Sequence, residues 1–324
     1  MDLVGIARNP VPSGAVPGSF IARDGRVVRY ALWPRTADKR LGTVCLFGGR
    51  GEFIEKYFET ISDLRRRGFA VAMMDWRGQG GSERLLKNPH KGHVEDFRDY
   101  DHDLGQFMSE IVLPDCPAPF YGMAHSMGGH ILLRSARTKV CWFDRIIVSA
   151  PMIDIYRELA AKPFLRAMIE MFVLLGFGDL YVPGGRGMPS ELIPFEENEC
   201  TSDRLRNDRI RDVLKAAPEL GLGSPTLGWV QAAARSIMML NGFGFAASVR
   251  IPVLIVAGGN ETVVSMRAME NFAAQVKNCK LLVIAGAKHE LLQERDALRD
   301  QFWAAFDAYV PGSNRTMSES HIGL

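Results

Sequence analysis

Residues 121–130 read Tyr-Gly-Met-Ala-His-Ser-Met-Gly-Gly-His, and no other stretch restricts the fold as tightly. The segment 118–123 is short, apolar and aromatic, as a buried strand requires, while 127–137 turns Ile131, Leu132 and Leu133 to one side of a helix. A serine on the sharp turn between such a strand and helix takes a strained backbone, so the residues two before and two after it must be small. Ala124 and Gly128 meet that condition. The turn exposes the Ser126 hydroxyl as a nucleophile and aims the Met127 N–H at a developing oxyanion. Small-x-Ser-x-small pentapeptides also occur in turns that carry no chemistry. The rest of the chain must therefore supply a base, an acid and a second oxyanion donor.

Strand and helix patterns alternate on both sides of this turn. Residues 20–30 predict an antiparallel hairpin with an Asp24-Gly25 turn. A buried strand follows at 43–47 and runs into Gly48-Gly49-Arg50-Gly51-Glu52, a loop whose glycines let backbone approach a ligand. It is no phosphate loop, since neither Gly-Lys-Ser/Thr nor the G-x-G-x-x-G spacing is present. A helix over 55–67 turns Tyr57, Phe58, Ile61 and Leu64 inward, and Arg65, Arg66 and Arg67 at its end complement the helix dipole. Further strands are predicted at 69–74, 143–150, 251–257 and 281–284, with helices at 95–111 and after His289. Asp75 and Arg77 follow a strand end, where they are expected to fix the loop. This alternation predicts an α/β fold with a mostly parallel central sheet covered on both faces.

The alternation stops between 152 and 248. That region is expected to form a helical cap, or lid, inserted over the carboxyl edge of the sheet. Phe164, Met168 and Phe172, with Leu165, Met171, Leu174 and Leu175, are expected either to line an acyl-chain pocket or to pack the cap onto the core. The arginine-rich segment 203–212 reads as a solvated helix face. The domain plan is then a flexible lead at 1–19, a core of 20–151 and 249–312, the cap, and a disordered tail at 313–324.

Downstream of the serine, Glu261 stands just past a strand end, where a carboxylate could orient a histidine. His289 follows the last strand, in a loop from which a general base could reach Ser126. Other ligand chemistry finds little support. His90, His93 and His102 match no compact metal-ligand spacing, and the five scattered cysteines form no C-x-x-C pair, so neither a metal, a cofactor nor a disulfide framework is expected. A formal net charge of +2 and 23% charged residues create no field for nucleic acid, and no obligate protein partner is indicated. The first residues lack a basic, then apolar, leader, and the apolar segment 164–181 is interrupted by Arg166, Glu170 and Asp179 before reaching the roughly 20 residues of a membrane span. A cytoplasmic protein is expected, peripheral at the inner membrane face if it meets lipid at all.

The order Ser126, Glu261, His289 is that of the serine α/β-hydrolases, and the chain resembles more closely their lysophospholipase L2 and monoacylglycerol lipase group. The motifs that carry the likeness are Gly49-Arg50-Gly51-Glu52 with Tyr57, Asp75-x-Arg77-Gly78-x-Gly80-x-Ser82, Pro89-His90-x-Gly92-His93-Val94, Ala124-His125-Ser126-Met127-Gly128-Gly129 and Ala287-x-His289-Glu290, together with Gly223-Ser224-Pro225-Thr226 and Trp229-Val230. The resemblance implies the α/β-hydrolase fold, nucleophile Ser126, base His289, acid Glu261, and oxyanion N–H groups from Arg50 and Met127. It implies a lipid-like ester as substrate, a lysophospholipid or monoacylglycerol, with transient contact at a membrane surface. Gly48-Gly49 replaces the family's common His-Gly, and the acid is Glu where many relatives have Asp. An acyltransferase or a general short-chain esterase could use the same three residues, and a non-catalytic ligand-binding relative would lack one of them.

Overall fold

In the computed structural model, residues 2–36, 41–137, 141–155 and 162–313 are described. Their strands form one sheet in the order β1-β2-β4-β3-β5-β6-β7-β8. The hairpin of β1 (Val16–Ile21) and β2 (Val27–Trp33) adds antiparallel to β4 (Ala70–Met74). From β4 onward the strands run parallel: β3 (Thr43–Phe47), β5 (Phe120–His125), β6 (Arg145–Ser149), β7 (Val253–Gly258) and β8 (Cys279–Ile284). Parallel strands must be joined by crossovers that cover the faces, so both faces are buried. Every residue of β3, β4 and β7 is accordingly buried, which explains why these strands read as apolar runs, Thr43 at the start of β3 apart.

Two domain expectations need correction. The stretch read as a flexible lead contains the start of β1 at Val16 and is tied down further upstream. Asn9 is buried and its Nδ2 donates to the Glu55 carbonyl at 2.9 Å, while the Val4 N–H donates to Glu55 Oε1 at 3.2 Å. Leu3, Val11 and Ala15 also pack against the main core and Val4 and Ile6 against a second cluster, contacts that follow no helix or strand period and so left no pattern in the sequence. At the other end, Ser313 is buried and bonded to the Asp307 and Val310 carbonyls, so the ordered core reaches one residue into the expected tail. Residues 314–324 lie outside the described residues.

Among the described residues between β6 and β7 the regular elements are helices, and the strand-like contacts are isolated bridges. The helix Leu227–Leu240, capped by Thr226 Oγ1 accepting from Trp229 N–H, buries Trp229, Ala232, Ala233, Ile237 and Leu240 against the core. The helix Pro163–Phe172 lies outside it and buries only Ile169. Phe164, Met168 and Phe172 are 83, 38 and 39% exposed, so they are not buried against the core. Periodicity marks an apolar face but cannot say whether the partner is protein, lipid or solvent. The segment 203–212 also departs from its reading. The helix Arg204–Ala216 turns Arg206 and Arg209 to Glu59 of the core helix Phe58–Arg66, at 2.7 and 2.5 Å.

Candidate active site

The parallel topology gathers the loops after β3, β4, β5, β7 and β8 at the carboxyl edge of the sheet. Ser126 opens the helix Ser126–Ser135 directly after β5, with φ of 49°, one of two non-glycine residues with positive φ among those described. Packing holds this strain. A Cβ on Gly128 would fall 2.5 Å from the Gly48 carbonyl oxygen and 2.8 Å from that of Phe47, and one on Gly129 would fall 3.0 Å from Pro151 Cβ. The elbow helix can thus press against the β3 loop only because its second turn residue lacks a side chain.

The structure brings Ser126, His289 and Glu261 together. His289 Nε2 is 3.0 Å from Ser126 Oγ, and its Nδ1 is 2.8 Å from Glu261 Oε2. The other carboxylate oxygen of Glu261 accepts the N–H groups of Val263 and Val264 at 2.7 and 3.1 Å. Burial alone would raise the Glu261 pKa, but the His289 contacts and these two amides hold it below its ordinary value. Glu261 is therefore an anionic acceptor with one oxygen committed to backbone and one to the imidazole.

The Gly-rich loop after β3 offers the other half of the site. The N–H groups of Gly49, Gly51 and Glu52 are engaged, by Glu52 Oε2, Gln79 Oε1 and the Gly49 carbonyl respectively. The Arg50 N–H between them has no partner among the described residues. The Met127 N–H lies in the first turn of its helix, where no intrahelical acceptor exists. These are the two amides expected as oxyanion donors. In place of the usual histidine, Trp76 Nε1 donates to the Gly48 carbonyl at 2.9 Å, and Gln79 Nε2 donates to the carbonyls of Gly49 and Glu52 at 2.7 and 3.0 Å.

Sequence reasoning missed a buried network that joins the two halves. Glu52 accepts from Gly49 N–H, Tyr57 O–H at 2.6 Å, His125 Nδ1 at 3.0 Å and Lys56 Nζ at 3.0 Å. Lys56 is itself surrounded by Glu52, Glu191 and Glu290. Burial would raise the Glu52 pKa, yet Lys56 and His125 hold it well below the carboxylate range. Both His125 nitrogens face oxygen, Glu52 on one side and the His289 carbonyl at 3.3 Å on the other, an arrangement that only the doubly protonated ring can satisfy as a donor twice. Burial would lower the His125 pKa, but Glu52 raises it. The signal was present as Glu52 and Tyr57 flanking a glycine loop and His125 preceding the serine; only the fold shows that they meet.

The remaining motif residues serve structure. Asp75 accepts from Arg29 Nε at 2.7 Å and from the N–H groups of Ile54 and Gly81, and Arg77 pairs with Asp103 and Asp24. His93 Nδ1 meets Thr226 Oγ1 at 2.7 Å, linking the core to the segment above it. His130, whose pKa burial pulls down to about 3, bridges the Met152 carbonyl and Ser236 Oγ.

Residues 38–296 match the hydrolase family described as "Serine aminopeptidase, S33". The chain belongs to this family of serine hydrolases. It is 34% identical to lysophospholipase L2 of Escherichia coli K12 over 93% of its own length and 88% of the relative. A probable lysophospholipase L2 of Haemophilus influenzae is 29% identical, over 84 and 83%. Among solved structures, a soluble variant of the monoglyceride lipase of Saccharomyces cerevisiae superposes with a TM-score of 0.71 at 20% identity, over 94% of this chain and 96% of that one, a likeness of fold. These matches place the chain in the lysophospholipase and monoglyceride lipase group of the α/β-hydrolases. No described helix is long and apolar enough to cross a membrane.

Proposed function

We propose that the protein releases a fatty acid from a lysophospholipid or monoacylglycerol through an acyl-serine intermediate, with Ser126 as nucleophile, His289 as general base and Glu261 as the acid that orients it. The observation that carries this reading is the continuous relay Ser126 Oγ, His289, Glu261 at 3.0 and 2.8 Å.

In this mechanism His289 Nε2 takes the Ser126 proton as Oγ attacks the ester carbonyl. The Nδ1–H stays on His289, held by Glu261, which stabilises the imidazolium without taking a proton. The N–H groups of Arg50 and Met127 receive the negative charge as the carbonyl oxygen becomes tetrahedral, a contribution of about 3 kcal/mol for each donor. His289 then protonates the departing glyceryl oxygen. Water, deprotonated in turn by His289, attacks the acyl carbonyl, and the fatty acid leaves as Ser126 regains its proton.

The lipid class rests on the likeness to lysophospholipases L2. Residues 152–248 act in this reading as a cap, and its outward side supports transient contact with a membrane surface. Phe164, Leu174 and Leu175, exposed at 83, 80 and 63%, lie close together in sequence with Met171 and Phe177, which are also exposed. An uncovered apolar surface of this kind is what an interface rich in acyl chains would stabilise. The test is hydrolysis of a short-chain p-nitrophenyl ester, a monoacylglycerol and a lysophosphatidylethanolamine by the native protein and Ser126→Ala. Fatty acid released from either lipid and lost in the variant is the expected result. Cleavage of the small ester alone would reduce the protein to an esterase, and an active Ser126→Ala would overturn the assignment of the nucleophile.

A further inference from the structure

Arg50 supplies an expected oxyanion amide, but its side chain has no place in the mechanism above. It runs from the oxyanion loop beneath the cap. Nη2 donates to the Gly223 carbonyl at 2.5 Å, and the guanidinium carbon lies 5.3 Å from the ring centroid of Trp229. Nε is shut off from solvent and has no partner. No carboxylate among the described residues comes within ion-pair distance of it, whereas Arg29, Lys56, Arg77 and Arg299 each meet one at hydrogen-bond distance. Glu191 is the one carboxylate whose charge is felt at Arg50, from beyond ion-pair distance. A cation withdrawn from water and left with a carbonyl and a ring face is costly unless an anion completes it. The residue as a whole is nevertheless partly accessible.

We infer that the Arg50 side chain recognises the phosphate of the substrate, selecting phosphate-bearing lysolipids over neutral monoacylglycerols; this inference rests on the reading of the site as a lipid-ester hydrolase. The reach is right. The oxyanion rests on the backbone N–H of Arg50, and the phosphorus of a 1-acyl lysophospholipid stands as many bonds from the ester oxygen as Cζ stands from Cα in an arginine. A guanidinium rooted at the oxyanion residue is thus matched in length to a phosphate tethered to the scissile ester. With Nη2 committed to Gly223 and Nε closed off, Nη1 is the guanidinium nitrogen left to donate to a phosphate oxygen, and the charge attracts any phosphodiester whatever group lies beyond it.

The test is binding without turnover. Ser126→Ala and Ser126→Ala/Arg50→Met are titrated with lysophosphatidylethanolamine below its micelle concentration and with a monoacylglycerol of the same acyl chain. The quantity read is the ratio of the two dissociation constants. Loss of one charge-assisted hydrogen bond should shift that ratio about 10- to 100-fold against the phospholipid in the double variant, with partial recovery in Ser126→Ala/Arg50→Lys. A ratio unchanged within about twofold overturns the inference while leaving the hydrolase reading intact. Ser126→Ala that binds monoacylglycerol but not the lysophospholipid overturns it too, and narrows the substrate to glycerides. Failure of Ser126→Ala to bind either lipid sinks the lipid-ester reading itself. Should Arg50→Met bind neither lipid, the lysine variant's ratio decides.

Discussion

Replacing Glu261 by glutamine isolates the orientation of the imidazole. Glu261 Oε1 accepts two backbone N–H groups, from Val263 and Val264, and Oε2 accepts His289 Nδ1. Glutamine has one acceptor end and one donor end. Two amide donors within the loop demand the acceptor, because leaving them unpaired costs about 1–3 kcal/mol each. The side-chain NH2 is then turned to His289 Nδ1, which can meet a donor only if it carries no proton. The ring proton moves to Nε2, facing Ser126 Oγ at 3.0 Å, and the ring can no longer accept the serine's proton. Fixing the wrong tautomer in such a relay lowers kcat by about 10⁴, on the order of 5 kcal/mol in the barrier. Volume and backbone bonds are kept, so the melting temperature should stay within about 2 °C of the native protein. Steady-state hydrolysis of a p-nitrophenyl ester measures kcat, and NMR of ¹⁵N-labelled histidine reads the tautomer. Residual kcat above about one tenth of native, or a His289 ring still protonated at Nδ1, would refute the reasoning.

Other outcomes follow from the same geometry. Gly128→Ala places a methyl against the backbone oxygens of Gly48 and Phe47; a loss of a few kcal/mol in urea unfolding is expected, together with a fall in kcat as the oxyanion loop is displaced. Glu59 would be raised by burial, but Arg206, Arg299 and Arg209 bring it from 4.5 down to about 2. Because the folded value is depressed, its stabilisation is fully present above 4.5 and fades as pH falls toward about 2. Glu59→Gln should therefore destabilise clearly at neutral pH and converge on the native protein in acid, as urea midpoints across that range would show; a constant difference at every pH would contradict the assignment. Phe164→Ser/Leu174→Ser should reduce sedimentation with anionic vesicles while leaving hydrolysis of a monomeric p-nitrophenyl ester intact. Equal sedimentation would remove the apolar face from any role at the membrane. Lys56→Met leaves Glu52, Glu191 and Glu290 facing one another, and breaking a buried charge cluster of this kind costs about 3–5 kcal/mol, measurable as a lowered unfolding midpoint.

Local pattern was enough for the sheet and for the three residues of the relay. Runs such as 44–47 and 253–258 are apolar throughout because both faces of a parallel strand are buried, and that signature survives in one dimension. Ser126, Glu261 and His289 were legible because each stands in a loop at a strand's carboxyl end, and topology sends all such loops to one edge. Contacts without a period were not legible. Glu52, Lys56 and His125 look like ordinary loop and surface residues until the β3 loop and the elbow come together, since a buried charge is recognised by its partners and those partners lie up to 234 residues away. The helix Pro163–Phe172 shows the converse: its apolar residues are plain in the sequence, but whether they face protein or solvent depends on the helix Leu227–Leu240 having already taken the core. The chain's own pattern decided which segments form strands and which residues can do chemistry. Tertiary structure alone decided which charges are paired and which faces remain uncovered, because pairing and exposure are properties of what arrives from elsewhere in the chain.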